Sequence, residues 1–389
     1  MVELEDIIEA YYDCRKNKRK SADQVEFELH WEMNCVKLWN DVNNFTVKPS
    51  AYTFVTLHPR PREVFASDFA TRILHHYLDI RLKPILEKRF TSHTFNNRAG
   101  MGQMSCQNAV ISDIYEVSEG FTKDAWVIKL DMKGCFPNIN QDIAFNLLKN
   151  IILEDYVGPD KDSMIEILLI CIYSHPTSHC KRKGNLKDWE LIPPEKSLFT
   201  KPENIGAAIG FLIWQITVNV YFDFLDKWFE ENGIVAERYV DDTYIVTDNK
   251  EMTLLMIPEI RRQLATVGAR LNEKKFYCQH ISKGVECLGA HIKMDRIYVN
   301  NRIIANAKQS VRRHNRKVDE NHLDKMLSSV NSYLGVCKNV NGYNQVMQLI
   351  RLLSPEWYHY MYFNRRRVCL SPLPQYTQRN RIIHKFNLK

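Results

Sequence analysis

Long uncharged apolar runs are missing from this chain of 389 residues. A helix that crosses a bilayer needs a run of about 18 or more such residues, so the sequence predicts no membrane segment and no membrane partner. The first residues, Met1 to Asp6, are acidic and lack the basic and apolar parts of a secretory signal. Together these absences predict a cytoplasmic protein.

Closely paired cysteines are also missing, because none of the ten cysteines belongs to a C-x-x-C pair and their spacing is irregular. This predicts reduced thiols rather than a disulfide framework or a zinc knuckle. His175, His179 and Cys180 lie close together, but no fourth ligand has suitable spacing, and a polar loop is the favoured interpretation. The sequence also lacks a Walker phosphate loop, a Ser-His-Asp order and internal repeats.

Charge is distributed unevenly along the chain. Residues 301–389 carry 16 Lys and Arg against four Asp and Glu, whereas the remainder carries 37 basic and 42 acidic residues. A basic segment joined to a nearly neutral body predicts a surface that binds a polyanion such as nucleic acid. The alternative is a solvated helix face without a ligand.

Apolar periodicity changes repeatedly between the helical and the extended pattern. Helices are predicted over 1–50, 69–90, 138–175, 209–229, 251–267 and the chain after 300. Strands are predicted over 51–57, 126–130 and 285–292, with a strand–turn–strand over 238–246. Pro84 should interrupt or bend its helix, and the stretch 175–204, with its prolines, should be irregular. This order predicts an α+β fold in which helices pack behind a sheet.

Three acidic residues stand where extended segments end. Asp131 follows a short apolar run, and Asp241 and Asp242 form the predicted turn between two strand-like segments. Acids in such surroundings are costly unless a positive group binds them, although a hairpin turn favours Asp in any case. Phosphoryl transfer with two Mg²⁺ ions about 3.5–4 Å apart needs hard oxygen ligands on rigid supports, which these carboxylates provide.

Two stretches resemble the motifs of reverse transcriptases. Tyr239 to Asp242 resembles their Y-x-D-D box, and Leu130 to Ile139 resembles their first palm motif. The resemblance covers roughly residues 50–350 and implies a right-hand polymerase with fingers, a palm with an antiparallel sheet, and a helical thumb. It implies catalytic roles for Asp131, Asp241 and Asp242, two Mg²⁺ ions with Mn²⁺ as a substitute, and the Met132 carbonyl as a further metal ligand.

The resemblance also implies an organisation in four parts. These are a helical extension over 1–50, fingers over 51–125, a palm over 126–295 with a fingers insertion and the loop near 175–204, and a basic helical thumb and tail over 296–389.

A nucleotide pocket is expected beside the acids. Phe136 matches the family's steric gate, which excludes a 2′-hydroxyl; its alternative is an ordinary core residue. Arginine suits triphosphate contacts because its planar fork makes paired hydrogen bonds, although salt bridges to Glu63 or Asp68 are the alternative for the arginines beside them. The expected nucleotide-binding residues are Arg62, Arg72, Phe136, Ile209, Gly210, Gln215 and Lys275.

Template and primer contacts are expected at Tyr239 of the Y-x-D-D box and at three further places. They are a glycine-containing loop after the fingers helix, a primer-grip hairpin over 286–292 and the basic thumb, whose affinity for nucleic acid should fall as salt rises. The expected nucleic-acid-binding residues are Arg98, Gly100, Gly102, Tyr239, Leu288, Gly289, Arg312, Arg313, Arg316 and Lys317.

The stretch from Ile209 to Gln215 resembles the Ile-Gly-x-x-x-Ser-Gln box of diversity-generating retroelement reverse transcriptases, with Trp214 in place of the usual Ser. Those enzymes are bacterial or phage-encoded, copy a structured template RNA into cDNA with errors at adenines, and bind a small basic accessory protein. Ile209 cannot donate the side-chain hydrogen bonds that Gln offers in most reverse transcriptases, and such a loss weakens discrimination between base pairs.

Two other interpretations stay open. One is a divergent bacterial reverse transcriptase of the antiphage-defence or group II intron-like class, although no maturase, RNase H or endonuclease region is expected in this length. The other is a catalytically silent RNA-binding protein with the polymerase fold. The sequence favours RNA-directed DNA synthesis from dNTPs.

Overall fold

The computed structural model describes residues 1–16, 21–57, 60–294, 296–340 and 342–377. Helices account for much of this chain. They are α1 Leu4–Arg15, α2 Ala22–Glu28, α3 Trp31–Asn43, α4 Phe69–Arg89, α5 Gln103–Val117, α6 Gln141–Asp155, α7 Lys161–Ile172, α8 Pro176–His179, α9 Leu212–Glu231, α10 Lys250–Leu255, α11 Ile257–Thr266, α12 Asn301–His314, α13 Glu320–Lys338 and α14 Tyr343–Leu352.

The strands form small sheets with the orders β2–β1–β4, β5–β6–β3–β7, β10–β9–β8 and β11–β12. They are β1 Ala51–Thr56, β2 Arg62–Ser67, β3 Trp126–Asp131, β4 Lys181–Arg182, β5 Val235–Tyr239, β6 Asp242–Thr247, β7 Tyr277–His280, β8 Val285–Cys287, β9 Ala290–Lys293, β10 Arg296–Val299, β11 Met361–Asn364 and β12 Cys369–Pro372. This mixture of helices and mainly antiparallel pairs confirms the predicted α+β class.

The chain divides into two compact units. The first contains Met1–Cys106 and Ile128–Cys278, and the second contains Gln107–Val127 and Gln279–Lys389. The four predicted parts, with bounds at 50, 125 and 295, stay a prediction, since each unit combines stretches from more than one of them.

The first unit is built around two long buried helices. Helix α9 buries residues on most of its surface, including Trp214 and Phe222, and helix α4 buries a continuous apolar face from Phe69 to Leu86. The side chain of Asp68 caps α4 by accepting a hydrogen bond from the Thr71 amide at 2.7 Å. Pro84 was predicted to interrupt or bend this helix; α4 is not interrupted there, because burial along the whole face outweighs the one backbone hydrogen bond that proline removes.

The second unit has its own apolar core, formed by α12, α13 and α14 around the buried Trp357. The prediction that the chain after 300 is helical was wrong for Met361–Asn364 and Cys369–Pro372, which pair as an antiparallel hairpin. These strands have four residues each, which is too short to show a clear alternation. The basic residues between them also resemble a solvated helix face in sequence.

None of the ten cysteines, all of which lie in the described ranges, forms a disulfide, and seven of them are buried. In the described ranges, no helix is both long and apolar enough to cross a membrane.

Candidate active site

The three predicted catalytic acids lie at adjacent strand ends. Asp131 is the last residue of β3, and Asp241 lies in the two-residue turn between β5 and β6, where Tyr239 pairs with Asp242. The Met132 amide donates a hydrogen bond to the Asp241 carbonyl at 3.3 Å. The end of β3 and the hairpin turn are therefore neighbours, although they are far apart in sequence.

The hairpin turn is held from behind by a buried arginine. Val240 has φ of +60°, a conformation that is costly for a β-branched residue and needs support from its surroundings. The Arg238 guanidinium, only 1% exposed, donates to the Val240 carbonyl at 3.0 Å and to the Asp226 carboxylate of α9 at 2.7 Å. Sequence reasoning missed Arg238, although an arginine next to the Tyr239–Asp242 turn is a readable signal.

Negative charge is concentrated around Asp241. Burial raises the pKa of this carboxyl from its ordinary 3.8 to about 6, and the charges of Asp242 and Asp131 act in the same direction. The carboxylate of Asp131 accepts a hydrogen bond from the Asn272 amide at 2.8 Å and forms an ion pair with Lys275. These acids need positive charge beside them, because each raises the energy of its neighbour's ionised form.

Lysine supplies part of that charge on the strand itself. The Lys129 ammonium lies 3.0 Å from Asp242 Oδ1, and Lys129 is on β3, two residues before Asp131. Sequence reasoning missed Lys129 and also Asn272. A lone lysine in an apolar strand, on the same face as the catalytic acid, was the signal for the first.

The predicted metal ligands have the right chemistry for Mg²⁺, since carboxylate and carbonyl oxygens are its preferred donors. Burial raises the pKa of Asp241, and the charges of Asp242 and Asp131 raise it further; a divalent cation beside these acids would favour their ionised forms. Within the described ranges, however, no three His, Cys, Asp or Glu side chains are grouped closely enough to hold one ion. One oxygen of the Asp131 carboxylate forms an ion pair with the Lys275 ammonium.

A cavity of about 230 Å³ opens beside the acids, within the first unit. Phe136, on the short 3₁₀ turn Phe136–Asn138, and Ile209, just before α9, form apolar parts of its wall. The predicted site residues that line it are Arg62, Asp131, Met132, Phe136, Ile209, Asp241 and Lys275. The structure therefore brings most of the predicted nucleotide-binding set together with two of the acids.

Three predicted nucleotide-binding residues, Arg72, Gly210 and Gln215, do not line this cavity. Gly210 has φ of +111°, and a Cβ built on it would lie 2.2 Å from the Phe65 carbonyl oxygen. Its role is to let the chain pass close to β2, where the Phe65 amide donates to the Ile209 carbonyl at 2.8 Å. Gln215 is exposed in the first turn of α9. Gly210 thus positions Ile209, and Gln215 does not contribute to the wall.

Arg72 and Arg98, which are predicted to contact triphosphate and template, both have hydrogen-bond acceptors within the protein. The Arg72 guanidinium pairs with Asp23 at 2.6 Å and donates to the Ser67 carbonyl at 2.9 Å. Arg98 pairs with Glu87 at 2.9 Å and also donates to two backbone carbonyls. The Nε and one terminal nitrogen of each guanidinium therefore already donate to acceptors within the protein.

The remaining predicted nucleic-acid-binding residues lie in several places. Tyr239 is half-buried at the end of β5. Gly100 and Gly102 lie in the loop before α5, with open space where a Cβ would project. In the second unit, Leu288 and Gly289 form the turn between β8 and β9, both with positive φ. Exposed basic side chains at and just beyond the end of α12 are Arg312, Arg313, Arg316 and Lys317.

Residues 58–292 match the family of reverse transcriptases (RNA-dependent DNA polymerases). The putative COX1/OXI3 intron 1 protein of Saccharomyces cerevisiae is 26% identical over 199 residues, which are 50% of this chain and 20% of that protein. The chain thus spans about a fifth of the length of this curated relative.

Solved structures of telomerase from Candida tropicalis are also similar. The apo structure is 14% identical with a TM-score of 0.45, covering 75% of this chain and 52% of that one. The complex with a TWJ fragment of telomeric RNA is 13% identical with a TM-score of 0.46, covering 82% and 57%. The family match extends over more than half of the chain and confirms the predicted right-hand polymerase fold. The chain belongs to the reverse transcriptase family.

Proposed function

We propose that this protein is an RNA-directed DNA polymerase that makes cDNA from a template RNA with dNTPs as substrates. The observation that carries the proposal is the meeting of Asp131 and Asp241 at one wall of a cavity that also contains Arg62 and Phe136. An acidic wall suits cations and the reacting end of a primer, and an arginine suits a triphosphate. The family match supports the same activity.

Two Mg²⁺ ions, or Mn²⁺ in their place, are proposed as the cofactor. The side chains of Asp131, Asp241 and Asp242 and the carbonyl of Met132 would hold them. When bound, such ions neutralise charge at the attacking 3′-hydroxyl and the leaving pyrophosphate. Lys129 and Lys275 keep the acids paired by supplying positive charge beside Asp242 and Asp131.

Primer extension on a defined RNA template tests this activity with the purified chain. Asp241→Ala should lower the rate by at least about a hundredfold, which corresponds to roughly 2.7 kcal/mol of lost transition-state stabilisation. Asp248→Ala is the matched control, because Asp248 is an exposed acid just beyond the same hairpin. A wild-type chain that binds the template but extends no primer would instead favour the silent RNA-binding alternative.

We further propose that the enzyme belongs to a diversity-generating retroelement and copies template adenines with errors. Ile209 lines the cavity and brings no side-chain hydrogen bond to it. Trp214, which stands where those enzymes usually have Ser, is 1% exposed and packs in the apolar core of the first unit. A bacterial or phage source, a cytoplasmic location and a small basic accessory protein belong to the same proposal.

Error counting by template base tests this second proposal. Ile209→Gln should lower misincorporation opposite adenine by about tenfold and leave errors opposite the other bases nearly unchanged. Ile209→Leu is the control for packing, since it keeps an apolar side chain of equal size. Unchanged errors at adenine in the Gln variant would remove the support for this class.

The group II intron-like class is the second candidate, because the curated relative is an intron protein. Errors spread evenly over the four template bases in the wild-type enzyme would favour this class, or the antiphage one, over a diversity-generating retroelement.

A further inference from the structure

The stretch 175–204, predicted only as an irregular loop, forms part of the cavity wall. Ile192, Lys196 and Leu198 line the same cavity as Asp131 and Asp241. The stretch contains the short helix α8, the short strand β4 and several 3₁₀ turns. It therefore contributes both an apolar surface and a cation to the space beside the acids.

A buried carboxylate fixes this segment in place. Glu63 of β2 is only 4% exposed, and it accepts hydrogen bonds from the Ser197 hydroxyl at 2.5 Å and the Leu198 amide at 2.9 Å. Each carboxylate oxygen therefore accepts a hydrogen bond from one of the two residues that follow Lys196. Burying a carboxylate is expensive unless it is fully hydrogen-bonded, so this contact strongly defines the local backbone.

Further contacts hold the segment in place before and after the two residues that bind Glu63. Strand β4 pairs with β1, and the Arg182 guanidinium lies 4.1 Å from the centre of the Phe199 ring. The Lys201 ammonium donates to Asn138 Oδ1 at 2.7 Å, and the Gly206 amide donates to the Ile139 carbonyl at 2.7 Å. Lys196 thus projects from a backbone that is attached to β1, to β2 and to the residues after Phe136.

Lys196 differs from the other lysine of the cavity. Lys275 is paired with Asp131, whereas Lys196 is exposed and has no ion pair with any acid in the described ranges. Arg60 and Arg62, also exposed, line the same cavity. Three cations that lack an ion pair within the described part of the chain, beside an acidic wall, suit a ligand with several negative charges at one end, such as a nucleoside triphosphate with its metal ions.

We propose that Lys196 binds the triphosphate of the incoming dNTP, and that Glu63 is the positioning residue that holds Lys196 at the cavity. This inference rests on the proposed polymerase function and adds a binding residue from a segment outside the family's catalytic boxes. The bound group is a phosphate, and a template phosphate is the competing source that the experiment separates.

Steady-state primer extension compares Lys196→Ala with Lys187→Ala. Lys187 is an exposed lysine of the same segment that does not line the cavity. Lys196→Ala should raise KM for dNTP by about tenfold, with the loss falling on KM rather than kcat, and Lys196→Arg should restore most of it. Inhibition by inorganic tripolyphosphate should weaken by the same factor, because this probe has no base or sugar.

Glu63→Ala should reproduce the KM increase, since alanine offers no acceptor to the Ser197 hydroxyl or the Leu198 amide. Combined with Lys196→Ala, it should add little further, because both changes remove the same interaction with the triphosphate. Equal KM values for Lys196→Ala and Lys187→Ala would overturn the proposal. So would weaker template–primer binding at an unchanged KM for dNTP, which would assign Lys196 to the template.

Measuring dNTP binding directly tests the role of Lys196 independently of polymerase activity. If the wild-type chain extends no primer, the proposed function fails, and calorimetry with a dNTP analogue that has a non-hydrolysable α,β linkage still decides the role of Lys196. About tenfold weaker binding to Lys196→Ala than to Lys187→Ala supports the phosphate contact. Equal binding overturns it.

Discussion

The carboxyl of Asp241 links the chemistry of the site to the stability of the protein. Its pKa is raised from 3.8 to about 6, first by burial and then by Asp242 and Asp131. The folded protein therefore holds this proton more tightly than the unfolded chain does. The resulting stabilisation is present below pH 3.8 and is lost as the pH rises through about 6. A pKa change of this size corresponds to at most roughly 3 kcal/mol.

Asp241→Asn should therefore stabilise the protein at pH 8 in the absence of divalent ions. The amide stays uncharged at every pH, so the advantage over the wild type should shrink as the pH falls from 8 to 5. Urea denaturation in EDTA measures the free energy of unfolding at each pH, with Asp248→Asn as control. A variant that is less stable than the wild type at pH 8 would contradict this electrostatic account.

Phe136 is expected to control the choice of sugar, since its ring lines the cavity beside Met132 and Asp131. Phe136→Val should raise kcat/KM for ribonucleotides by at least about tenfold relative to deoxyribonucleotides, because a smaller side chain admits the 2′-hydroxyl. Single-nucleotide extension with matched dNTP and rNTP measures the ratio. Phe145→Val, a change to a half-buried ring of α6 outside the cavity, should leave the ratio as it is.

Sequence reasoning is best suited to residues whose role depends on their immediate neighbours. The acids and Phe136 lie inside motifs that carry their own structural context, a strand end or a tight turn. The sequence could not show the pairing of Arg72, because its partner Asp23 lies 49 residues earlier in the chain. Sequence reasoning also passed over Lys196, because its position depends on a buried Glu63 that lies 134 residues before Ser197.

The junction of α9 with the β5–β6 hairpin carries a buried ion pair between Asp226 and Arg238. Asp226→Asn would leave the Arg238 charge buried without its partner and should cost about 3–5 kcal/mol of unfolding free energy. Urea denaturation compares it with Asp223→Asn, one turn earlier on the same helix. The pKa of Asp223 is raised by burial, so an uncharged side chain should cost less there.

A small effect of Asp226→Asn, equal to that of Asp223→Asn, would mean that the hairpin turn does not depend on this pair. If Asp226→Asn lost primer extension but kept its stability, the cause would be a changed hairpin turn, because Arg238 also donates to the Val240 carbonyl.

At the level of elements, long periodic helices and strands that run into a motif were predictable. The segments near 175–204 and after 360 were not, because their strands contain two to four residues and are defined by pairing with distant partners. Strand β4 forms only because β1 is available beside it. Helix α4 shows the opposite case, in which tertiary burial overrides the local effect of Pro84.

For the whole molecule, the uneven charge predicts nucleic-acid binding that depends strongly on salt. Replacing Arg312, Arg313 and Arg316 by Gln should weaken template–primer binding and reduce the slope of log affinity against log salt by about one for each phosphate that the protein no longer neutralises. Fluorescence anisotropy over a salt series measures both. Arg261 and Arg262 provide a control pair, since each already pairs with a glutamate on the surface.

An unchanged slope in the triple variant would assign the basic face to solvation alone, which is the alternative that the sequence left open. A similar reduction of the slope in the Arg261 and Arg262 variant would show a diffuse charge effect instead of a defined binding surface.

Seven buried thiols should react with alkylating reagents only when the structure around them opens. Cys135 lines the cavity. Burial raises the pKa of its thiol well above the ordinary value, and the nearby charge of Asp241 adds a smaller increase. A small haloacetamide should therefore label the less buried Cys180, Cys278 and Cys369 first. The delay before Cys135 is alkylated, followed by mass spectrometry, times the loosening of the structure around the acids without any nucleic acid present.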